Sequence, residues 1–374
     1  MNIIADENMP LVASLFAGFG DLRCLPGRQM SPDSLAEADL LLVRSVTQID
    51  EQLLSQAHKL KFVGSATIGT DHVDQALLAR RGIHFANAPG CNKIAVGEYV
   101  ISALLVLAER HQLHLSGMTL GVIGAGNTGT AVAERARALG MQVCLCDPPL
   151  AAAGDPREFV PYEVALCSDV VSFHVPLTRE GPHATWHLLD EAALCVLEGE
   201  QILINACRGE VWDNQALLAR QSGPDPLRLV MDVWEGEPQL LTPLIRHTEL
   251  ATPHIAGYSL EGKMRGTYQV YQACCDWMGL PVTQDFAPLL PRPPLDRLTL
   301  QQAPDQALLK RLIHLVYDVR RDDALFRHGF VTAADFDRLR KHYPERREWS
   351  SLQLAAAVGR EQLAALGFSL APLA

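Results

Sequence analysis

MTLGVIGAGNTG, residues 118–129, joins a β-type run to a glycine-rich turn, and a helical run, TAVAERARALG, follows at 130–140. Gly124, Gly126 and Gly129 stand in GxGxxG spacing, a weak signal alone. Here a strand precedes it, a helix follows it, and a second strand, MQVCLCD, ends about 20 residues on at Asp147. Each glycine has a separate task. Gly124 permits the tight turn, Gly126 lets backbone approach a pyrophosphate, and Gly129 lets helix and strand pack closely. The helix start then offers unpaired N–H groups to negative charge. Asp147 is placed to accept hydrogen bonds from ribose hydroxyls. A 2′-phosphate would meet that carboxylate with only Pro148, Pro149 and Leu150 following, so the pattern favours NAD over NADP.

The same rhythm extends both ways. Downstream, DVVSFHV, QILINAC, LRLVMDV and LATPHI read as further strands with helices between them. Upstream, MNIIAD, LLLVRS, KFVGSAT and GIHFANAPG read as strands linked by the helical runs SLAEAD and VDQALLARRG. Two βαβ series imply two doubly wound parallel sheets of Rossmann type. A helix around GTYQVYQACCDWMG is expected to return to the first sheet. APLLPRPPLDRL, 287–298, reads as a linker, and beyond it lie two helical runs, a strand LQLAAAV, a helix EQLAALG and a last short strand. The fold class is therefore α/β, with two such domains and a small C-terminal α+β domain.

Composition excludes several roles. The 374 residues are 48% hydrophobic and 20% charged, as in ordinary globular chains. A net charge of −11 argues against nucleic-acid and anionic-membrane partners. The nine cysteines show no metal or CxxC spacing and imply a reducing, cytoplasmic compartment; no metal is expected. The N-terminus lacks a signal-peptide layout, and the longest apolar run, VISALLVLA at 100–108, is too short to span a bilayer.

Chemistry gathers at strand ends. Arg208 follows QILINA and offers a planar fork suited to a carboxylate. Glu237, between Gly236 and Pro238, and His254, after Pro253, follow the next two strands. In open α/β sheets ligands bind at such ends. His254 is a candidate acid/base, Glu237 its orienter and Arg208 a substrate clamp, a set suited to hydride transfer from a 2-hydroxy acid.

NACRGEVWDNQAL, MDVWEGEP and TPHIAGYS resemble the signature segments of the D-isomer-specific 2-hydroxyacid dehydrogenases, and the likeness covers roughly residues 1–285. ADENMP, LPGR, VRSVT, FVGSATIGTDHVD, APGCN and HIAGYSLEGK resemble one branch of that family still more closely, as do HLVYDVRRDDALFR and LRKHYPERREWSSL in the tail. The resemblance implies Arg208, Glu237 and His254 as the catalytic set, and Ser45, Thr67 and Tyr258 as substrate contacts. It implies Asn127, Thr128, Asp147, Val175, Asp232 and Gly257 on the NAD side; Val175 stands where many relatives carry threonine. It also implies a substrate-binding, flavodoxin-like domain at 1–95 completed by 256–285, an NAD-binding domain at 96–255 and a dimerisation domain at 286–374. The expected substrate is a small phosphorylated hydroxy acid. A phosphoglycerate-type dehydrogenase and an NAD(H)-sensing binding protein are the competing readings. LLKRLIHLVYD has apolar positions at helical spacing that a small module alone struggles to bury, so a homodimer is expected. Arg320-Arg321 and Arg346-Arg347 are then expected near a neighbouring subunit's site.

Overall fold

The computed structural model describes residues 1–372. The chain groups into two units. One comprises Met1–Asn92 with Ser259–Arg292, the other Lys93–Tyr258 with the chain from Pro293 onward.

The first unit is built on five parallel strands, β1 (Asn2–Asp6), β2 (Asp21–Leu25), β3 (Leu40–Val43), β4 (Phe62–Ser65) and β5 (His84–Ala86), in the order β2-β1-β3-β4-β5. The central strands are apolar at successive positions because both faces are covered. Ile3, Leu40, Leu42 and Phe62 face Val270, Tyr271 and Cys274 of the helix Leu260–Met278, whereas Ile4, Leu41, Val43 and Val63 face Leu35, Leu54 and Leu77. The returning helix thus completes this sheet, as its sequence suggested. β2 was not anticipated; its largely exposed DLRCL carries no continuous apolar run, as suits an edge.

The second unit holds six parallel strands, β6 (Thr119–Ile123), β7 (Gln142–Cys146), β8 (Val170–Phe173), β9 (Ile202–Asn205), β10 (Arg228–Met231) and β11 (Leu250–Ala251), in the order β11-β10-β9-β8-β6-β7. The winding reverses between β6 and β8, which sets a ligand crevice beyond their carboxyl ends. The buried helix Lys93–Arg110 and the helix Asn127–Ala138 share a core with this sheet.

The tail adds three more parallel strands, β12 (Arg297–Leu300), β13 (Gln353–Ala356) and β14 (Ser369–Leu370), with β13 central. β12 overlaps the stretch read as linker, and three helices, Gln306–Val316, Val319–Gly329 and Ala333–Lys341, stand where two were expected. The apolar stripe of the first does not wait for a partner. Leu309, Leu312 and Ile313 are buried in the same core as Leu104 and Leu107 of helix Lys93–Arg110, as are Trp349, Leu354 and Leu363. Arg346 is likewise turned inward and does not extend toward a neighbour. It donates to the carbonyls of Ala95 (2.6 Å) and Ala256 (3.0 Å) and lies 3.4 Å over the Tyr317 ring. Burial of such a cation is tolerated because the two carbonyl oxygens and the face of the Tyr317 ring replace water.

Candidate active site

His254 sits after β11 with a φ of +58°, in the left-handed region that costs a non-glycine residue on the order of 1–2 kcal/mol. The loop around it is held by a buried carboxylate. Asp232 Oδ1 accepts from the Thr252 hydroxyl (2.6 Å) and Ile255 N (2.8 Å), Oδ2 accepts from Ala256 N (2.9 Å), and the Asp232 carbonyl accepts from His254 N (2.6 Å). Three charge-assisted bonds are enough to fix a strained residue, which is where strained backbone clusters in enzymes. Burial raises the Asp232 carboxyl, partly offset by the His254 ring and these donors. Both oxygens of Asp232, expected on the NAD side, are engaged with the His254 loop.

His254 Nδ1 meets Glu237 Oε2 at 2.8 Å, and Glu237 Oε1 accepts from Trp234 N at 2.8 Å. Burial pushes the Glu237 carboxyl up, but the His254 ring, Arg340 and the Trp234 N–H outweigh it, and the net shift is downward. An ionised Glu237 fixes the ring orientation and leaves Nε2 as the proton-exchanging atom. Arg208 follows β9, with Nη1 donating to the Cys207 carbonyl at 2.8 Å and its own carbonyl held by the Asn205 amide at 3.0 Å. Next to it, a Cβ on Gly209 would come within 2.0 Å of the Trp234 carbonyl group, so only glycine lets the Arg208 turn lie against the strand exit leading to Glu237. Tyr258 closes the same loop, its ring edge-on to Tyr343 at 5.7 Å.

The dinucleotide cradle fits NAD. A Cβ at Gly124 (φ +91°) would lie 2.7 Å from the His174 carbonyl carbon and 2.8 Å from Val175 N, and one at Gly129 would lie 1.9 Å from the Gly124 carbonyl oxygen. At Gly126, by contrast, a Cβ would meet nothing within 4 Å, and this residue caps the helix Asn127–Ala138 with no side chain covering its first amides. The close approaches and the open face are what a pyrophosphate on a helix start requires. Asn127 and Thr128 form that first turn. Asp147 accepts from Ala125 N (2.8 Å) and Leu150 N (3.1 Å), which ties this carboxylate to the glycine turn. Val175 and Gly257 are half-buried, the latter inside a turn closed from Tyr258 N to the Ile255 carbonyl. One expectation changes. No arginine follows Asp147 directly, yet Arg157 lies close enough for its charge to feel that carboxylate. It is occupied: Asp155 takes it through two bonds of 2.8 Å, and the Thr130 hydroxyl accepts a third at 2.9 Å.

Ser45 and Thr67 belong to the first unit, at the exits of β3 and β4. Ser45 is exposed; the Thr67 hydroxyl donates to the Gly69 carbonyl (2.9 Å) and contacts Ser65 Oγ (2.7 Å), which reaches His72 Nε2 (2.9 Å). Burial, with the Arg44 charge, pushes the Lys263 ammonium down to about 8. Sequence reasoning missed Lys263 and Arg340; both sit in quoted family segments, but only tertiary packing singles them out.

The family description "D-isomer specific 2-hydroxyacid dehydrogenase, NAD binding domain" matches residues 104–256, and a domain of unknown function matches 289–367. The chain is 61% identical to the erythronate-4-phosphate dehydrogenase of Tolumonas auensis and 50% identical to that of Yersinia enterocolitica, in each case over 99% of both chains. It belongs to the D-isomer specific 2-hydroxyacid dehydrogenases. The chain is an NAD-dependent dehydrogenase of a small hydroxy acid. Among solved structures, a Thermus thermophilus protein matches 76% of this chain and 99% of its own at a TM-score of 0.63 and 26% identity. The NAD+-bound 3-phosphoglycerate dehydrogenase of Entamoeba histolytica matches 76% of this chain and 97% of its own, also at 0.63, with 22% identity, a likeness of fold. Among the described residues no helix is long and apolar enough to cross a membrane.

Proposed function

We propose that this dehydrogenase oxidises 4-phospho-D-erythronate at C2, giving (R)-3-hydroxy-2-oxo-4-phosphooxybutanoate. One observation carries the reading. Similarity to relatives named for that substrate runs through 99% of the chain, tail included, whereas the structural neighbours account for only about three quarters of it.

The residues take defined parts. Gly124, Gly126, Asn127, Thr128, Gly129, Asp147, Val175, Asp232 and Gly257 hold NAD, which supplies a hydride acceptor when bound. Arg208 clamps the substrate carboxylate through its two-bond fork. His254 Nε2 removes the proton of the C2 hydroxyl as the C2–H bond breaks, and Glu237 holds the imidazolium that results. Ser45, Thr67 and Tyr258 contact the rest of the substrate. The same reading sets the enzyme in the cytoplasm, in pyridoxal 5′-phosphate synthesis, and its nine free cysteines suit a reducing compartment. We extend it to a homodimer formed by residues 286–374, where Leu315, Leu325, Val331 and Val358 are exposed; light scattering of Leu315→Asp/Val331→Asp should then report monomer.

Turnover of 4-phosphoerythronate and of 3-phosphoglycerate, followed optically as NADH forms, tests the substrate. A clear preference for the first is expected. A preference for 3-phosphoglycerate would move the enzyme to the phosphoglycerate type, and no turnover of either would favour an NAD(H)-binding sensor.

A further inference from the structure

The tail contains several arginines, and most are engaged where they stand. Arg321 meets Asp322 (2.9 Å), Arg327 meets Asp323 (2.8 Å), Arg338 meets Asp335 (2.8 Å), and Arg346 donates to the Ala256 (3.0 Å) and Ala95 (2.6 Å) carbonyls. Arg340, at the end of helix Ala333–Lys341, breaks this pattern. It is half-buried, yet among the described residues no carboxylate stands in ion-pair contact with it, and its Nε is shut off from solvent with no hydrogen-bond partner. The Tyr258 side chain is a hydrogen-bond partner of the guanidinium, but a neutral one. A buried guanidinium with no anion in contact is costly to leave in place, unless an anion completes it.

Its position says which anion. The guanidinium carbon lies 5.8 Å from the centre of the Tyr258 ring and 5.8 Å from that of Phe336. Tyr258 ends the loop that carries His254. Burial works against the Arg340 charge, and Tyr258, Glu237 and Asp232 more than restore it. Two carboxylates, Glu237 and Asp232, are therefore within electrostatic reach but out of contact, and both are already engaged, one with His254 and the other with its loop. An incoming substrate with two anionic ends needs two cationic forks. Arg208 is allotted the carboxylate, which leaves the phosphate.

We propose that Arg340 is the residue that receives the substrate's phosphate, so that the C-terminal segment completes the active site of its own chain. The proposal rests on the reading of a phosphorylated hydroxy acid as substrate. Two flat aromatic neighbours hold the fork in one orientation, which suits a two-bond grip on phosphate oxygens. Selectivity for phosphorylated over plain hydroxy acids then resides in the C-terminal helix Ala333–Lys341.

The test is the ratio of kcat/KM for 4-phosphoerythronate to that for D-erythronate, in the parent, Arg340→Gln and Arg340→Lys. Arg340→Gln should lower this ratio by on the order of 10–100-fold, mainly through KM for the phosphorylated acid, with D-erythronate changed less than about threefold. Arg340→Lys should recover part of the ratio, because charge returns without the fork. Equal losses on both acids, with a displaced acid limb in the pH profile, would make Arg340 a support for Glu237 and overturn the proposal; an unchanged ratio would overturn it too. If Arg340→Gln does not fold by circular dichroism, the parent-to-Lys ratio decides alone. Should the parent favour 3-phosphoglycerate, the substrate reading fails separately, and the same ratio taken against D-glycerate still tests Arg340.

Discussion

The His254–Glu237 contact sets how the ring is held. Glu237 stands below the ordinary carboxyl range and stays ionised across neutrality, so a carboxylate faces Nδ1. On the proposed reading, Glu237→Gln should lower kcat/KM, because the ring loses the charge that orients it and that holds the imidazolium formed in oxidation. An unchanged kcat/KM would detach Glu237 from the proposed base. His254→Ala should cut kcat by roughly 10²–10⁴ while NADH binding, read by fluorescence, survives. On the cofactor side, the Arg157 guanidinium, through two hydrogen bonds, holds the Asp155 carboxyl down to about 2, and in return Asp155 keeps Arg157 engaged. Asp155→Asn should free that fork for a 2′-phosphate and strengthen NADPH binding several-fold relative to NADH. Titrations showing no relative gain would place Arg157 out of reach of the ribose.

At the scale of elements, two glycines of one motif should behave in opposite ways. Gly129→Ala puts a methyl 1.9 Å from a backbone oxygen, which neither helix nor strand can yield cheaply; a loss of about 1–3 kcal/mol or more, read as a lower Tm, is expected. Gly126→Ala enters open space and should melt near the parent while losing NAD affinity, since the obstruction falls where the pyrophosphate approaches. Equal effects on Tm would contradict the packing described. These elements were readable beforehand because each obeys a local rule: a strand before the glycines, a helix after, an acid at the next strand end. β2 and β12 were not, because DLRCL and RLTL are short, half-exposed strands whose pairing is set by neighbours rather than by their own apolar pattern. Arg346 and Arg340 illustrate the same limit among side chains. Both lie in one charged run, LRKHYPERREWSSL, and only the three-dimensional surroundings send the first to Ala95 and Ala256 and the second to Tyr258.

At the scale of the molecule, the tail is joined to the nucleotide-binding unit through a buried carboxyl. Glu98 Oε1 accepts from Trp349 N at 2.7 Å. Burial and the nearby Glu348 carboxylate push the Glu98 carboxyl up to about 8, with Arg346 and Arg135 opposing. From the ordinary value of 4.5 up to about 8, the folded protein keeps a proton that the unfolded chain has released, so stability falls as pH rises through that window. Glu98→Gln mimics the protonated form and should flatten the dependence of Tm on pH between those limits; an equal slope in both proteins would reject it. The shared core has a further consequence for how the protein is made. The sheet begun by residues 1–92 gains its covering helix only at 260–278, and the core begun at residue 93 gains Ile313, Trp349 and Leu354 only near the other end of the sequence. On the ribosome, neither unit can finish folding when its first segment emerges. The nascent chain must carry two open cores at once, close the earlier-started one first, and leave the nucleotide-binding half exposed to chaperones and proteases until synthesis has passed β13.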